Sequence, residues 1–427
     1  MLCLQKQQNY DNERIIKSMR IWRINVLLLM VAALASCSGG ELPVFGEPRP
    51  MYLPAGTNTM SPKLTTGGAG TTVLSWLQRN EDDATLLYAT LGIGEWNEAI
   101  EVVTDPAMFT NWADLPSVTA LDDEHWVAHW LSKSAAADYA YDVLVSQSTD
   151  GGKTWGAPVR PHTDGTPTEH GFVSIYPTGG STALLWLDGR QTGDEASGDS
   201  AARGMTLRAA VIDPAGERSL EQQVDGLVCD CCQTDVAVSS KGPIAVYRNR
   251  TVEEIRDIYV TRFADGEWQA GAPIADDGWY ITGCPVNGPA IDADGDLVAI
   301  AWFSAANDRP VVRAVISTNG GRTFREPVEI ATTRSSGHVG IAIVDRLSVV
   351  ISWVESDKRG TNAINIRGLT VGGIAGPVET VGRSTLLRIY PQLARSNDKL
   401  ILAWTDEVGE AVEVVSIEVP ILGFYER

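Results

Sequence analysis

Short apolar runs that end on an aromatic residue recur seven times along this chain. They are Val73–Trp76, Val127–Trp130, Leu184–Trp186, Ala245–Tyr247, Ile300–Trp302, Ile351–Trp353 and Leu402–Trp404. Their aromatic positions are 54, 56, 61, 55, 51 and 51 residues apart. Alternating β-branched residues surround each run, and turns rich in Gly, Asp and Asn separate them, which is the pattern of strands. A fixed period of this size made of short strands predicts an all-β fold, a β-propeller of seven four-stranded blades. An irregular third unit, which carries the Gly- and Asp-rich insert Gly193–Gly204, would leave six.

Each unit follows one plan. In the second, strands are expected at Pro116–Leu121, Trp126–Trp130 and Tyr141–Ser146, then a tight turn at Asp150-Gly151-Gly152 before Pro158-Val159. The fifth repeats it with Pro289–Asp292, Val298–Trp302, Val311–Ile316, a turn at Asn319-Gly320-Gly321 and Pro327-Val328. No long helix is expected. The last unit stops after its third strand, Val412–Val419, so Leu42–Phe45 is placed to supply the outer strand and close the ring. Closure leaves no exposed strand edge.

The N-terminus changes the picture of where the chain resides. Arg20 and Arg23 precede an apolar run, Val26–Leu34, too short to span a bilayer. It ends in Leu34-Ala35-Ser36-Cys37, which resembles a bacterial lipobox. Residues 1–36 therefore read as a lipoprotein signal peptide, with Met19 as an alternative start, residues 37–56 as lipidated Cys37 and a tether, and residues 57–427 as the propeller. Ser38 and Gly39, with no Asp, follow the cysteine, so the expected location is the outer membrane, facing the periplasm. Loss of residues 1–36 removes five basic and two acidic residues and takes the net charge from −20 to −23. Such a surface repels nucleic acid, and a lipid rather than charge would hold the protein at a membrane.

Ser148-Thr149-Asp150-Gly151-Gly152-Lys153-Thr154-Trp155 resembles the Asp-box of sialidases and related BNR-repeat propellers. Ser317-Thr318-Asn319-Gly320-Gly321-Arg322-Thr323-Phe324 is a second copy with Asn for Asp. The box is a turn device whose Asp or Asn oxygen accepts backbone N–H groups while its glycines adopt left-handed conformations. In that family it lies away from the active site. The resemblance implies a glycan or small ligand on the central face and allows an exo-glycosidase of sialidase type, with a Tyr nucleophile paired to a Glu and an Asp acid/base. Tyr390, Glu169 and Asp114 stand at the corresponding places, and Arg190, Arg248, Arg250 and Arg388 are the candidate anion binders. The family's early Arg-Ile-Pro motif is absent.

The loops that lead into first strands converge on the propeller axis. Besides Asp114, Glu169 and Tyr390 they carry His170, Asp235, Asn287, His338 and four cysteines, Cys229, Cys231, Cys232 and Cys284. An oxidising envelope would favour disulfides, for example Cys232 to Cys284, with a second between Cys229 and Cys231. The other reading is a Cu or Zn centre of thiolates with His170 or His338, which would make this a metal-binding or thiol-redox protein. A third reading is a non-catalytic scaffold for an envelope protein partner. His125 and His129, beside tryptophans on a strand, read as packing residues; Trp112 and Trp279, in loops, stand outside the core pattern.

Overall fold

The computed structural model describes residues 40–422 except 69, 193–202, 220 and 333. The leader and the lipidation candidate Cys37 lie outside the described residues, as does nearly all of the third unit's insert. Seven antiparallel sheets follow one another along the chain. Their inner strands are Thr59–Thr66, Ser117–Ala120, His170–Thr178, Asp235–Ser239, Ala290–Asp294, Ser335–Asp345 and Gln392–Ser396. The third unit is a regular sheet of four strands ending at Gln222–Val228, so the count is seven and not six. Blade 2 has three full strands, and Val159 bridges Val145 where the fourth belongs. Blade 4 divides its outer strand into Glu267–Trp268 and Ala272–Pro273. Ala306–Asp308 forms a three-residue 3₁₀ turn, and no helix among the described residues is long and apolar enough to cross a membrane.

The recurring aromatics explain the stacking. Trp76, Trp186, Trp302, Trp353 and Tyr247 are fully buried, with Trp130 and Trp404 nearly so. They sit on second strands and pack into hydrophobic clusters that cross from one blade to the next. Polar clasps join neighbouring inner strands. Asp114 accepts the Phe172 N–H at 2.8 Å, Asp235 that of Ile291 at 2.9 Å and Asp292 that of Ile343 at 2.7 Å.

The ring closes through its N-terminal segment. Val44–Phe45 pairs with Leu422 and Ile421, and Arg49–Met51 pairs with Glu418 to Ser416 on the strand Ala411–Leu422. Part of the stretch expected as a tether is thus the outer edge of blade 7.

The two Gly-Gly turns lie between third and fourth strands, on the face opposite the lead-in loops. Asp150 Oδ1 accepts the Thr154 N–H at 2.9 Å, and Asn319 Oδ1 accepts that of Thr323 at 3.0 Å. Gly152 has φ 82°, and a Cβ there would meet the Tyr88 hydroxyl and the Trp126 ring. Glycine is required at that position by both conformation and space.

Candidate functional site on the central face

Cys229-Asp230-Cys231-Cys232 forms the loop leading into blade 4, and Cys284 lies in the loop leading into blade 5. The first loop is pinned where Cys229 N–H donates to the Arg248 carbonyl at 2.9 Å. Its chain then turns so that the sulfurs of Cys229, Cys231 and Cys232 lie within 4.8 Å of one another. Cys229 and Cys232 are buried with their sulfurs 3.4 Å apart. Cys231 is half-buried, and Cys284 is exposed with its thiol within hydrogen-bonding reach of Cys231. All four are free thiols. The expected Cys232–Cys284 disulfide is not formed: Cys232 faces Cys229 and the Asn287 N–H, at 3.4 Å, while Cys284 turns to Cys231.

Cations flank these sulfurs. Arg256 Nη1 donates to the Cys229 sulfur at 3.3 Å. Hydrogen bonds from Cys231 and Cys232, then the positive charges of Arg248 and Arg256, hold the Cys229 thiol well below its ordinary range. Hydrogen bonding to that first thiolate raises the Cys231 thiol, and burial raises that of Cys232. The cluster therefore stabilises one thiolate readily and resists the next, unless a cation joins them.

Arg248 is not a ligand-binding arginine. It is 2% exposed and spends its N–H groups on the carbonyls of Arg256, Asn287 and Phe303, with Trp279 under its guanidinium at 4.7 Å. Arg190 is held by Asp188, Asp164 and Glu221, and Arg250 by Glu254 and Asp230. Asp235 forms the inter-blade clasp described above and lines the axial channel between the inner strands. His125 and His129 are packing residues, bonded to Gln147 and Ser117 respectively.

Neither histidine offered as a metal ligand stands among the residues bonded to the thiols. His170 lies between blades 2 and 3, stacked on His162 with ring centroids 3.9 Å apart. Asp164, Asp188 and Asp142 surround the pair. Although burial opposes its charge, the Asp164 hydrogen bond and the Asp188 charge raise His170 above its usual range. It thus sits in a buried network of carboxylates.

His338 has φ 51°, and burial lowers it to about 4, so its ring is neutral. The ring stands edge-on to Trp112 at 5.7 Å and to Tyr390 at 5.1 Å, and its Nδ1 is buried without a partner. Asn287 holds the His338 N–H at 2.7 Å while its own N–H reaches Cys232, which ties the two groups through one residue.

The proposed catalytic trio is divided. Glu169 and Asp114 come together, but Tyr141 joins them in place of Tyr390. The Tyr141 hydroxyl lies 2.6 Å from Glu169 and 3.4 Å from Asp114. Burial raises Asp114 to about 8 and Glu169 to about 7. Tyr141 is fully buried and stacks on Phe109 at 4.1 Å, and burial raises its phenol well above 10, so it is no exposed nucleophile. Tyr390 is buried beside His338, and desolvation raises its phenol too.

Tyr390 also lines a cavity of about 790 Å³ between blades 1 and 7. Arg388, Trp112, Arg79, Asn58, Gln78 and Glu81 share its wall. Arg388 lies over the Trp112 ring at 5.6 Å. The sequence marked Trp112, Arg388 and Tyr390, but Tyr141, His162 and Asp164 carried no local signal.

No protein-family model matches this sequence, and no curated protein matches it. Among solved structures, a Trypanosoma rangeli sialidase in complex with sialic acid is similar with 12% identity and TM-score 0.45, over 91% of this chain and 60% of that one. A Hadza microbial sialidase is similar with 12% identity and TM-score 0.43, over 69% and 63%. An ulvan lyase, of a new polysaccharide lyase family, has 12% identity and TM-score 0.42, over 73% and 78%. Likeness at this level leaves function to be argued from the chain's own residues.

Proposed function

We propose that this protein binds a thiophilic metal ion, Cu(I) or Zn(II), through the cysteine cluster on the central face of its propeller. One observation carries the reading: three sulfurs within 4.8 Å of one another, two of them buried, beside two arginines. Tetrahedral zinc with Zn–S bonds of about 2.3 Å separates its sulfurs by about 3.8 Å. The cluster brackets that distance: Cys229 and Cys232 are 3.4 Å apart, and all three sulfurs lie within 4.8 Å of one another. Three thiolates suit Cu(I), and three with one outside ligand would fill the four positions that Zn(II) prefers. Arg248 and Arg256 offset the negative charge that several thiolates accumulate. The Leu34–Cys37 run supports placing this function in the cell envelope, on a lipid anchor.

The test is anaerobic purification with elemental analysis and thiol alkylation on one sample. The expected result is about one metal ion per chain, lost in Cys229→Ser and in Cys232→Ser while the fold persists. Metal-free protein from metal-replete medium, with its cysteines blocked as disulfides, would overturn it.

A second reading rests on the cavity between blades 1 and 7. An aromatic face, an arginine laid over it and several amide side chains are the groups that hold a glycan or other small ligand bearing an anionic group. Glycoside hydrolysis would need an accessible acid; half-buried Glu169, raised to about 7, is the best placed of the three residues expected for catalysis.

A further inference from the structure

The four thiols form a gradient of burial. Cys284 is exposed, Cys231 is half-buried, and Cys229 and Cys232 are closed off from solvent. The Cys231 sulfur lies within 4.8 Å of both buried sulfurs, which are 3.4 Å apart, and a hydrogen bond with Cys231 lowers the exposed Cys284 thiol. The Cys284 loop is pinned at both ends, by Ile281 N–H to the Glu254 carbonyl at 3.1 Å and by Asn287 N–H to the Cys232 sulfur at 3.4 Å. Between these anchors, Gly283 has open space where a Cβ would stand, and the Asn287 side-chain amide donates to the Pro285 carbonyl at 2.9 Å. The exposed thiol therefore sits on an arc with one end tied to the cluster at Cys232 and the other to the Glu254 backbone, and its middle faces solvent.

Resting on the metal-binding reading, we propose that Cys284 is the exchange ligand of the site: it accepts the metal from a thiol-bearing donor at the surface and passes it by way of Cys231 to the buried pair. In the first step a sulfur–metal bond to Cys284 forms as one donor sulfur–metal bond breaks. The proton of the Cys284 thiol leaves with the departing donor thiolate, and the metal keeps its oxidation state. In the second, the bonds to Cys284 and to the remaining donor sulfur break as bonds to Cys231 and the buried sulfurs form; the Cys231 proton returns to Cys284, the Cys232 proton leaves with the second donor thiolate, and Cys229 joins as the thiolate it already is. A group used only in transit changes rates in both directions equally and leaves the equilibrium unaltered. A resident ligand changes the equilibrium.

The experiment loads the whole protein anaerobically from a Cu(I)–glutathione complex and then follows release to a chromophoric Cu(I) chelator. Affinity is read by chelator competition. For Cys284→Ser the expected result is full loading and a Kd within threefold of the parent, with loading and release both slowed about tenfold. Unchanged rates at full loading would overturn the exchange role. A weakened Kd with faster release would overturn it as well, because Cys284 would then be a fixed fourth ligand. Failure of the unsubstituted protein to take up any metal would sink the metal-binding reading itself, an outcome separate from the other two. Cys229→Ser, which loses metal if the reading is right, controls for metal held elsewhere.

Discussion

Asp114 is 1% exposed, and burial is the largest influence on its carboxyl, raising it to about 8. In the unfolded chain an Asp titrates near 4. Between about pH 4 and pH 8 the folded protein therefore holds a proton that the unfolded chain has released, and stability falls as pH rises across that window. Asparagine keeps an acceptor for the Phe172 N–H and cannot ionise. Asp114→Asn is expected to lose about 3.5 kcal/mol less stability than the parent between pH 5 and pH 8, measured by urea unfolding at both values; parallel behaviour of the two proteins would remove Asp114 as the cause. Asp114 and Glu169 were both legible as loop acids. Tyr141 was not, because a tyrosine opening a third strand looks like core until two chain-distant carboxyls are found on its hydroxyl. The same holds for His162 and Asp164, whose meaning depends on His170 folding back against them. The cysteines were legible because three of the four are within four residues of one another.

Strands were legible where hydrophobic period and turn chemistry agreed. The expected Val311–Ile316 is observed as Val311–Ser317, and Trp126–Trp130 runs on to Lys133. The third unit's insert suggested a fault in the repeat that its strands do not show, because an insert on one loop leaves the ladders on either side untouched. The N-terminal edge shows the opposite limit. Leu42–Phe45 was legible as a closing strand, but Arg49–Met51 was not, since Pro50 and few apolar residues disguise a strand that lies on a sheet edge. Phe45 packs against the cluster of blades 6 and 7, and Met51 is buried against that of blades 7 and 1. Each is worth about 2 kcal/mol of burial. Deleting residues 44–51 is expected to lower Tm by about 5 °C or more and to promote association through the uncovered strand Ala411–Leu422. Thermal unfolding with light scattering checks both, and an unchanged Tm would show that the ring does not depend on this closure.

At the scale of the whole ring, the thiol cluster belongs to blades 4 and 5 and the cavity to blades 1 and 7, so the axis stands between them. The chain carries a net charge of −20, which repels anions unless local cations reverse the potential. Most arginines on the central face are already held by carboxylates or carbonyls. Arg388 and Arg79, on the wall of the cavity, have no acidic partner in the ion pairs among the described residues and are the cations there that a ligand can use. Arg388→Gln is accordingly expected to weaken binding of a carboxylated sugar about tenfold, by calorimetry, without altering metal content, and Cys229→Ser to do the reverse. Changes at independent sites add to within about 0.5 kcal/mol. A larger deviation in the double variant would mean that the sites communicate, and the residues for it are in place. Tyr390 lines the cavity and lies against His338, which Asn287 ties to Cys232. Additivity would leave two separate sites on one face, whereas coupling removed by His338→Ala would make the metal a regulator of what the cavity binds.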